Sequence, residues 1–220
     1  MSEIGSYINF QTSSSFTKYT FDIILANPPF IPTPAQEDIE KRYGLFSSGG
    51  SDGEDVLRSI ISLSPKLLRR GSGLLAIVSE FMNPPQKEGE GNGSLDLELL
   101  VKIQTWWRYL STQHQGKEMR YYGAKGVLFT NEYPVTASMY ASRRADNESE
   151  FNTWLQHLES CAIHSVSPGL LFMRSVAEDR DQKDFMNSIQ VPKSKFGSIW
   201  TPYNIQAVQY IKRVWKDMVE

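Results

Sequence analysis

The most informative segment for the fold is Phe21-Asp22-Ile23-Ile24-Leu25-Ala26-Asn27-Pro28-Pro29-Phe30. Its first part is a β-branched apolar run. The two prolines that follow cannot continue a sheet ladder, because proline has no backbone N–H group. A short apolar run closed in this way is typical of a buried strand. We therefore predict a strand over residues 20–26 and a sharp stop at Asn27.

The next segments alternate between loop, helix and strand patterns. A glycine-rich loop extends to about residue 52, where Asp52 or Gly53 can cap a helix. Apolar residues at helical spacing then predict a helix over residues 54–69, and an apolar run predicts a strand over residues 74–78. Strand, loop, helix and strand in this order form a parallel pair joined by a right-handed crossover. We expect the two strands to be adjacent and parallel.

The α/β pattern continues to the C-terminus. An amphipathic helix is predicted after Pro202. We divide the chain into an N-terminal segment 1–19, an α/β domain over residues 20–200 and this C-terminal helix over residues 201–220. The apolar spacing predicts four further elements, namely helices over 95–110 and 148–160 and strands near 136–141 and 170–176.

Composition and charge exclude several classes of protein. A formal net charge of −2 and a pI near 6.0 argue against a generic polyanion binder. No apolar run approaches the roughly 20 residues that span a bilayer, and the N-terminus lacks the order of a signal peptide. The single cysteine, Cys161, excludes an internal disulfide and is interpreted as a small core residue. The three histidines lack metal-ligand spacing. We expect a cytoplasmic protein that binds no metal.

The residues after the first strand can hold a planar –NH2 group. Proline keeps the residue before it extended, which fixes Asn27 at the carboxyl end of the strand, where open parallel sheets bind ligands. The Asn27 side-chain oxygen and the Pro28 carbonyl can both accept hydrogen bonds from one –NH2 group. Phe30 can stack on the flat amide or base that carries the nitrogen. Residues 27–30 are named the amine motif below.

Such an arrangement suits methyl transfer to a weakly nucleophilic nitrogen. Two acceptors and a stacking ring orient the nitrogen and favour the positive charge that develops on it. We assign Asn27 and Pro28 as catalytic residues, and Asn27, Pro28, Pro29 and Phe30 as substrate-binding residues. The alternative is that Asn-Pro-Pro is only a turn that ends a strand.

The amine motif resembles motif IV, (D/N/S)-P-P-(Y/F/W), of the class I amino-methyltransferases. That family includes release-factor glutamine methyltransferases, small-domain ribosomal methyltransferases and adenine DNA methyltransferases. A second block, Ser48-Gly-Gly-Ser-Asp-Gly-Glu-Asp-Val-Leu-Arg-Ser-Ile-Ile61, resembles the Gly-Gly-x-Asp-Gly-x-Asp segment of the glutamine branch. Leu68-Arg-Arg-Gly-Ser-Gly-Leu-Leu-Ala-Ile-Val78 is similar to the crossing from helix to strand that follows it. The resemblance covers about residues 20–80.

This resemblance implies the fold class, the cofactor and the substrate. The chain would form the C-terminal half of a Rossmann-like methyltransferase sheet, with parallel strands, crossover helices and an antiparallel final strand. The cofactor would be S-adenosylmethionine. The substrate would be a protein glutamine or a nucleobase amine, held by Asn27, Pro28, Pro29 and Phe30.

The half of the fold that binds the cofactor is not recognisable. About 20 residues precede Phe21, too few for the strands and helices that carry the glycine turn and the acidic ribose ligand. Gly89-Glu-Gly-Asn-Gly93 follows a strand and precedes a helix, but Pro84, Pro85 and polar residues separate it from the strand end. The cofactor-binding residues therefore stay unknown. We expect that the chain alone does not bind S-adenosylmethionine tightly.

Several hypotheses remain open. The chain is a piece of a longer enzyme, one subunit of a split enzyme, or a non-catalytic binding module derived from a methyltransferase. In a fourth hypothesis the fold is a scaffold whose aromatic stretches, Trp106-Trp107-Arg108-Tyr109 and Tyr121-Tyr122, bind a partner protein.

Two further features follow from the same pattern. The apolar edge of strand 20–26 is an aggregation hazard unless residues 7–10 or a partner chain covers it. Asn83-Pro84-Pro85 repeats the tripeptide of the amine motif, but Gln86 offers no ring for stacking, so we interpret it as a loop.

Overall fold

The computed structural model describes residues 20–44, 46–85, 97–109 and 123–176, the backbone of 185–191, and the helical positions 209, 212, 213 and 216. The described elements are, in chain order, β1 (Ile23–Ala26), α1 (Glu37–Tyr43), α2 (Asp55–Leu67), β2 (Leu74–Met82), α3 (Glu98–Tyr109), β3 (Ala124–Asn131), β4 (Val135–Thr136), α4 (Ala137–Arg144), α5 (Glu148–Ser160), β5 (Ser165–Ser175) and β6 (Phe185–Val191).

The strands form one mixed sheet of six strands in the order β1-β2-β5-β3-β6, with β4 paired to β5 beside this path. β1 is parallel to β2, with Ile23 opposite Leu74 and Ala26 opposite Ile77. Helix α2 connects the two strands. The predicted parallel pair and its crossover helix are therefore confirmed, and the fold is a mixed α/β fold compatible with a Rossmann-like sheet.

The expected antiparallel final strand is only partly correct. β5 is antiparallel to β2 and β3, between which it lies. However, β6 follows β5 in the chain and is parallel to β3. β5 pairs with β2 on one edge and with β3 on the other. The outer edge of β3 is therefore available, and β6 pairs there.

The strand predicted near residues 136–141 is wrong, because α4 occupies this segment. Thr136 ends the two-residue strand β4 and caps the helix, its hydroxyl oxygen accepting a 3.3 Å hydrogen bond from the backbone N–H of Met139. Arg143 and Arg144 lie in the last turn, where positive charge favours a helix. The missed strand is β3, which lies upstream over Ala124–Asn131.

The loop predicted up to residue 52 contains a short helix, α1, that the sequence pattern did not indicate. Its acidic first turn and basic last turn complement the helix dipole. The predicted helices over 54–69, 95–110 and 148–160 agree with α2, α3 and α5 within three residues at each end. The N-terminal segment 1–19 and the glycines 89–93 lie outside the described residues, as does most of the predicted C-terminal helix. None of the described helices is long and apolar enough to cross a membrane.

Two hydrophobic clusters lie on opposite faces of the sheet. Successive side chains of a strand point to opposite faces, and Phe81 belongs to one cluster while Met82 belongs to the other. The first cluster packs α2 and α3 against the sheet. It contains Trp106 and Trp107, which are 8% and 1% exposed, so these two tryptophans are core residues rather than a partner surface. The second cluster packs α1, α4 and α5 near the carboxyl ends of β1 and β2.

The second face is incompletely covered beside β1. Phe21, Ile23, Leu25 and Val78 are 51%, 56%, 77% and 40% exposed. Within the described part of the chain, β1 pairs only with β2, on one of its two edges. The apolar edge and face predicted for this strand are therefore open among the described residues.

Candidate amine-binding site

The amine motif begins where β1 ends, at the carboxyl edge of the sheet. Asn27 is exposed, Pro28 is buried, and Pro29 and Phe30 are half-buried. Among the described residues, none forms a hydrogen bond with the Asn27 side chain. Phe30 packs against the second hydrophobic cluster. The motif thus combines an available amide with a ring that is held by the core.

A support lies directly behind the motif, formed by residues 47–55, which we name the glycine segment. Ile31 donates a 2.9 Å backbone hydrogen bond to the carbonyl of Ser47, and its own carbonyl accepts one of 2.9 Å from Gly49. Thr33 donates to the carbonyl of Gly50 at 3.1 Å. The two sequence blocks that carry the resemblance are therefore brought together by backbone hydrogen bonds.

The glycines are required because backbone atoms of the motif lie against them. A Cβ atom at Gly49 would lie 2.5 Å from the carbonyl oxygen of Gly53 and 2.9 Å from the Cα of Phe30. A Cβ atom at Gly53, which has a φ of +75°, would lie 2.6 Å from the Phe30 carbonyl oxygen. Real side chains do not tolerate such approaches. These glycines therefore fix the position of Phe30.

The end of the glycine segment anchors α2 to α3. The Asp52 carboxylate accepts a 2.8 Å hydrogen bond from the backbone N–H of Glu54 and also pairs with Arg58 at 2.7 Å. The predicted helix cap at Asp52 or Gly53 is wrong, because Glu54 occupies the N-cap position of α2 and its side chain makes no capping hydrogen bond. Glu54 is buried and its Oε2 lies 2.6 Å from the ammonium nitrogen of Lys102 on α3. Burial raises the pKa of the Glu54 carboxyl, and Lys102 opposes this shift. The support behind the amine motif is thus joined to the first core.

Asn83, in the second Asn-Pro-Pro sequence, has a structural role. Its side-chain oxygen accepts hydrogen bonds from the backbone N–H groups of His164 at 2.8 Å and Ser165 at 3.2 Å. Its side-chain nitrogen donates to the carbonyl of Ala162 at 2.8 Å. These bonds tie the end of β2 to the turn before β5, which agrees with the interpretation of this sequence as a loop.

A cavity of about 600 Å³ lies at the same edge of the sheet, and we name it the carboxyl-edge cavity. Its described lining comes from the ends of β2, β3 and β5, from β4 and from α4. The lining residues are Glu80, Asn131, Glu132, Tyr133, Val135, Tyr140, Arg143, Arg144, Val166 and Pro168. The sequence pattern did not indicate this cavity, because α4 was predicted as a strand and β3 was missed.

A hydrogen-bonded network forms one wall of the cavity. Glu80 Oε2 accepts from the Tyr140 hydroxyl at 2.8 Å and from Arg144 Nη2 at 3.2 Å. The Arg144 guanidinium carbon lies 4.1 Å from the centre of the Tyr140 ring. Burial raises the pKa of the Tyr140 hydroxyl, and the Glu80 charge adds to the shift, so this hydroxyl stays a donor. Glu80 is therefore held in a fixed position.

The remaining sequence-predicted residues lie away from the amine motif or do not cluster. Cys161 is half-buried and packs against the second cluster, in agreement with a small core residue. Its sulfur lies 3.9 Å from His157 Nε2, which is 2.8 Å from the carbonyl oxygen of Ser51. Among the described residues, no three histidine, cysteine or carboxylate side chains come together as a metal site would require.

The described residues do not supply a complete site for S-adenosylmethionine. Such a site needs a glycine turn between a strand and a helix whose backbone leaves room for the ligand. The glycine turn that precedes α2 is instead filled by the backbone of Phe30. This glycine turn therefore leaves no room for a ligand against its backbone.

Two curated proteins are similar to part of the chain. A candidate protein N5-glutamine methyltransferase of Methanocaldococcus jannaschii is 38% identical over 77 residues, which cover 34% of this chain and 39% of that protein. The release factor glutamine methyltransferase of Geobacter sulfurreducens is 40% identical over 62 residues, 25% of this chain and 21% of that protein. No protein-family model matches the chain. The chain thus covers less than half the length of both relatives, and its sequence similarity supports a relationship with the methyltransferases.

Proposed function

We propose that this chain is the acceptor-binding half of an S-adenosylmethionine-dependent N-methyltransferase, and that the acceptor is a glutamine side-chain amide of a protein. One observation carries the proposal: Asn27 stands exposed at the tip of a parallel strand, without a hydrogen-bond partner among the described residues, on a support that fixes Phe30. The names of the two partial relatives favour glutamine over a nucleobase.

The chemistry that these residues supply is orientation and charge stabilisation. The Asn27 side-chain oxygen and the Pro28 carbonyl accept the two hydrogens of the amide –NH2 group, which fixes the plane of the amide. Phe30 stacks on that plane. A positive charge that develops on the nitrogen is favoured by the same two acceptors. No side chain is required as a general base, because the nitrogen can release its proton to water after the methyl group has been transferred.

The methyl donor would be supplied by a second half. In this proposal, that half carries the glycine turn and the acidic ribose ligand, which the described residues lack, and it packs beside β1. The uncovered edge of β1 and the exposed side chains of Phe21, Ile23 and Leu25 support this position.

Isothermal titration with S-adenosylmethionine tests the division into halves. We expect no micromolar binding by the 220-residue chain alone. Binding should be restored, and a glutamine peptide methylated, by a fusion in which a half with a glycine turn precedes residue 20. Micromolar binding by the chain alone would refute the proposal and direct attention to residues 89–93. Restored cofactor binding without methyl transfer would instead favour a non-catalytic module.

A further inference from the structure

The carboxyl-edge cavity presents hydrogen-bonding groups that no described residue satisfies. Glu80 Oε2 accepts two hydrogen bonds, whereas Oε1 has no partner among the described residues. The buried Arg144 Nε likewise has no hydrogen-bond partner there. Buried polar groups in native proteins are nearly always paired, so the unpartnered Arg144 Nε points to a ligand at this wall of the cavity. The Glu80 side chain is 22% exposed, so its Oε1 is accessible rather than buried.

The sheet register places this cavity beside the amine motif. Ala26 lies opposite Ile77, so continued strand geometry puts Asn27 level with Val78. Glu80 is two residues further along β2. With about 3.3 Å per residue and about 4.8 Å between strands, the Cα atoms of Asn27 and Glu80 are about 8 Å apart.

Strand alternation places both side chains on one face of the sheet. Residues two positions apart in a strand share a face. Asn27 therefore lies on the same face as Leu25. Val78, which is level with Asn27 on β2, also lies on this face, and so does Glu80, two residues further along β2. This is the face opposite α2 and α3. Phe30 also packs against the hydrophobic cluster that contains Tyr140, a residue of the cavity wall.

We propose that the carboxyl-edge cavity binds the peptide backbone around the methylated glutamine, an inference that rests on the proposed function. A glutamine side chain has two methylene groups between its amide and its backbone, enough to reach across the gap from Asn27 toward Glu80. The free Glu80 oxygen then accepts a substrate backbone N–H, and Arg143 donates to a substrate carbonyl. The substrate is thus an extended polypeptide segment rather than an isolated amide.

The charges of the lining favour a peptide over a nucleic acid. Glu80 and Glu132 balance Arg143 and Arg144, so the cavity carries both signs of charge. A peptide backbone needs donors and acceptors together, whereas the phosphates of a nucleic acid need an excess of positive charge. A volume of about 600 Å³ also lies within the range of binding sites for small ligands and short segments.

The test compares a peptide with its central side chain alone. The first probe is an acetylated, amidated pentapeptide, Ala-Ala-Gln-Ala-Ala, and the second is propanamide, which carries the side-chain amide of glutamine without a peptide backbone. A third probe is the pentapeptide with ester oxygens in place of the N–H groups that flank glutamine. Binding is measured by titration calorimetry or by NMR chemical-shift changes, with the whole chain and with the fusion described above.

We expect the pentapeptide to bind at least about tenfold more tightly than the minimal amide, because hydrogen bonds to charged groups have this strength. Glu80→Ala, Arg143→Ala and the ester peptide should each remove most of that advantage and leave the minimal amide unaffected. The ester peptide needs no protein variant, so it is independent of folding. Glu150→Ala is the matched control, since Glu150 is also paired with an arginine but lies outside the cavity lining.

Three outcomes would overturn the inference. The first is that the pentapeptide and the minimal amide bind equally well, or that neither binds. The second is that neither Glu80→Ala nor the ester substitution weakens pentapeptide binding, and the third is that a single-stranded oligonucleotide binds at the cavity more tightly than the pentapeptide. The proposed function fails separately. If peptide binding depends on Glu80 but not on Asn27 or on the glutamine, the amine site is wrong and the peptide site stands. If peptide binding depends on Asn27 but not on Glu80, the amine site stands and the proposed peptide site is wrong.

Discussion

Two Asn-Pro-Pro turns follow the parallel strands β1 and β2, and the hydrogen bonds of their asparagines differ. Asn27 is exposed and has no side-chain partner among the described residues. Asn83 is half-buried, and its side chain makes three hydrogen bonds, to backbone groups of Ala162, His164 and Ser165. The same tripeptide therefore leaves one asparagine available to a ligand and commits the other to the fold.

The backbone around each turn explains the difference. Asn83 has a φ of 47°, in the left-handed region, which turns its amide toward the segment before β5. The first turn continues into Phe30 and Ile31, which are held by the glycine segment. A turn that is supported from behind can leave its polar groups in front unpaired, and such groups are available for binding. Four predictions test how far this contrast extends.

The largest effect is expected for Asn27→Ala in an assembly that transfers methyl groups. Loss of an acceptor at a developing charge lowers the rate by about 100- to 1,000-fold. The free energy of unfolding should change by less than about 0.5 kcal/mol, because the side chain is exposed. Radiolabelled methyl transfer and urea denaturation measure the two quantities. Full activity in this variant would show that the amine motif is only a turn.

The opposite pattern is expected for Asn83→Ala. Loss of three hydrogen bonds to the backbone and the left-handed φ together lower the free energy of unfolding by about 2–3 kcal/mol. Asn83→Gly is the matched variant, since it loses the same bonds but keeps the φ without strain. It should be less destabilised than Asn83→Ala by about 1 kcal/mol. Equal urea midpoints for both variants and the wild type would show that the Asn83 side chain does not stabilise the fold.

A smaller effect is expected from the ring that distinguishes the two turns. Phe30→Ala should weaken binding of a glutamine peptide about tenfold, because aromatic stacking contributes about 0.5–1.5 kcal/mol. Phe30→Tyr keeps the ring and should bind within about twofold of the wild type. Titration calorimetry with the pentapeptide measures both. Normal binding by Phe30→Ala would place the acceptor away from this ring.

The smallest effect on stability is expected in β1, the strand before the first turn. β2 is paired on both edges, whereas β1 has one described neighbour, and Leu25 is 77% exposed. Leu25→Ser should change the free energy of unfolding by less than about 0.5 kcal/mol and reduce self-association in sedimentation experiments. Leu75→Ala, at a buried position of β2, is the contrast and should lower that free energy by about 2–5 kcal/mol. Strong destabilisation by Leu25→Ser would show that this face is already covered.

The sequence determined the local features near the amine motif. A proline stop directly after a β-branched run predicted β1, because the residues that end the strand are adjacent to it in the chain. The helix pattern between the two apolar runs predicted that β2 is its parallel partner. The helices α2, α3 and α5 followed from apolar spacing over about three turns each. The glycine segment was recognised by its residues, although its packing against Phe30 was not.

The contacts between polar groups depend on long-range folding. The network of Glu80, Tyr140 and Arg144 joins residues 60 or more positions apart. It depends on β5 lying between β2 and β3, which no local pattern encodes. The two asparagines are both followed by Pro-Pro, and different segments fold against them. Sequence thus fixes the conformations available to a short stretch, whereas long-range pairing fixes which side chains are left free to bind.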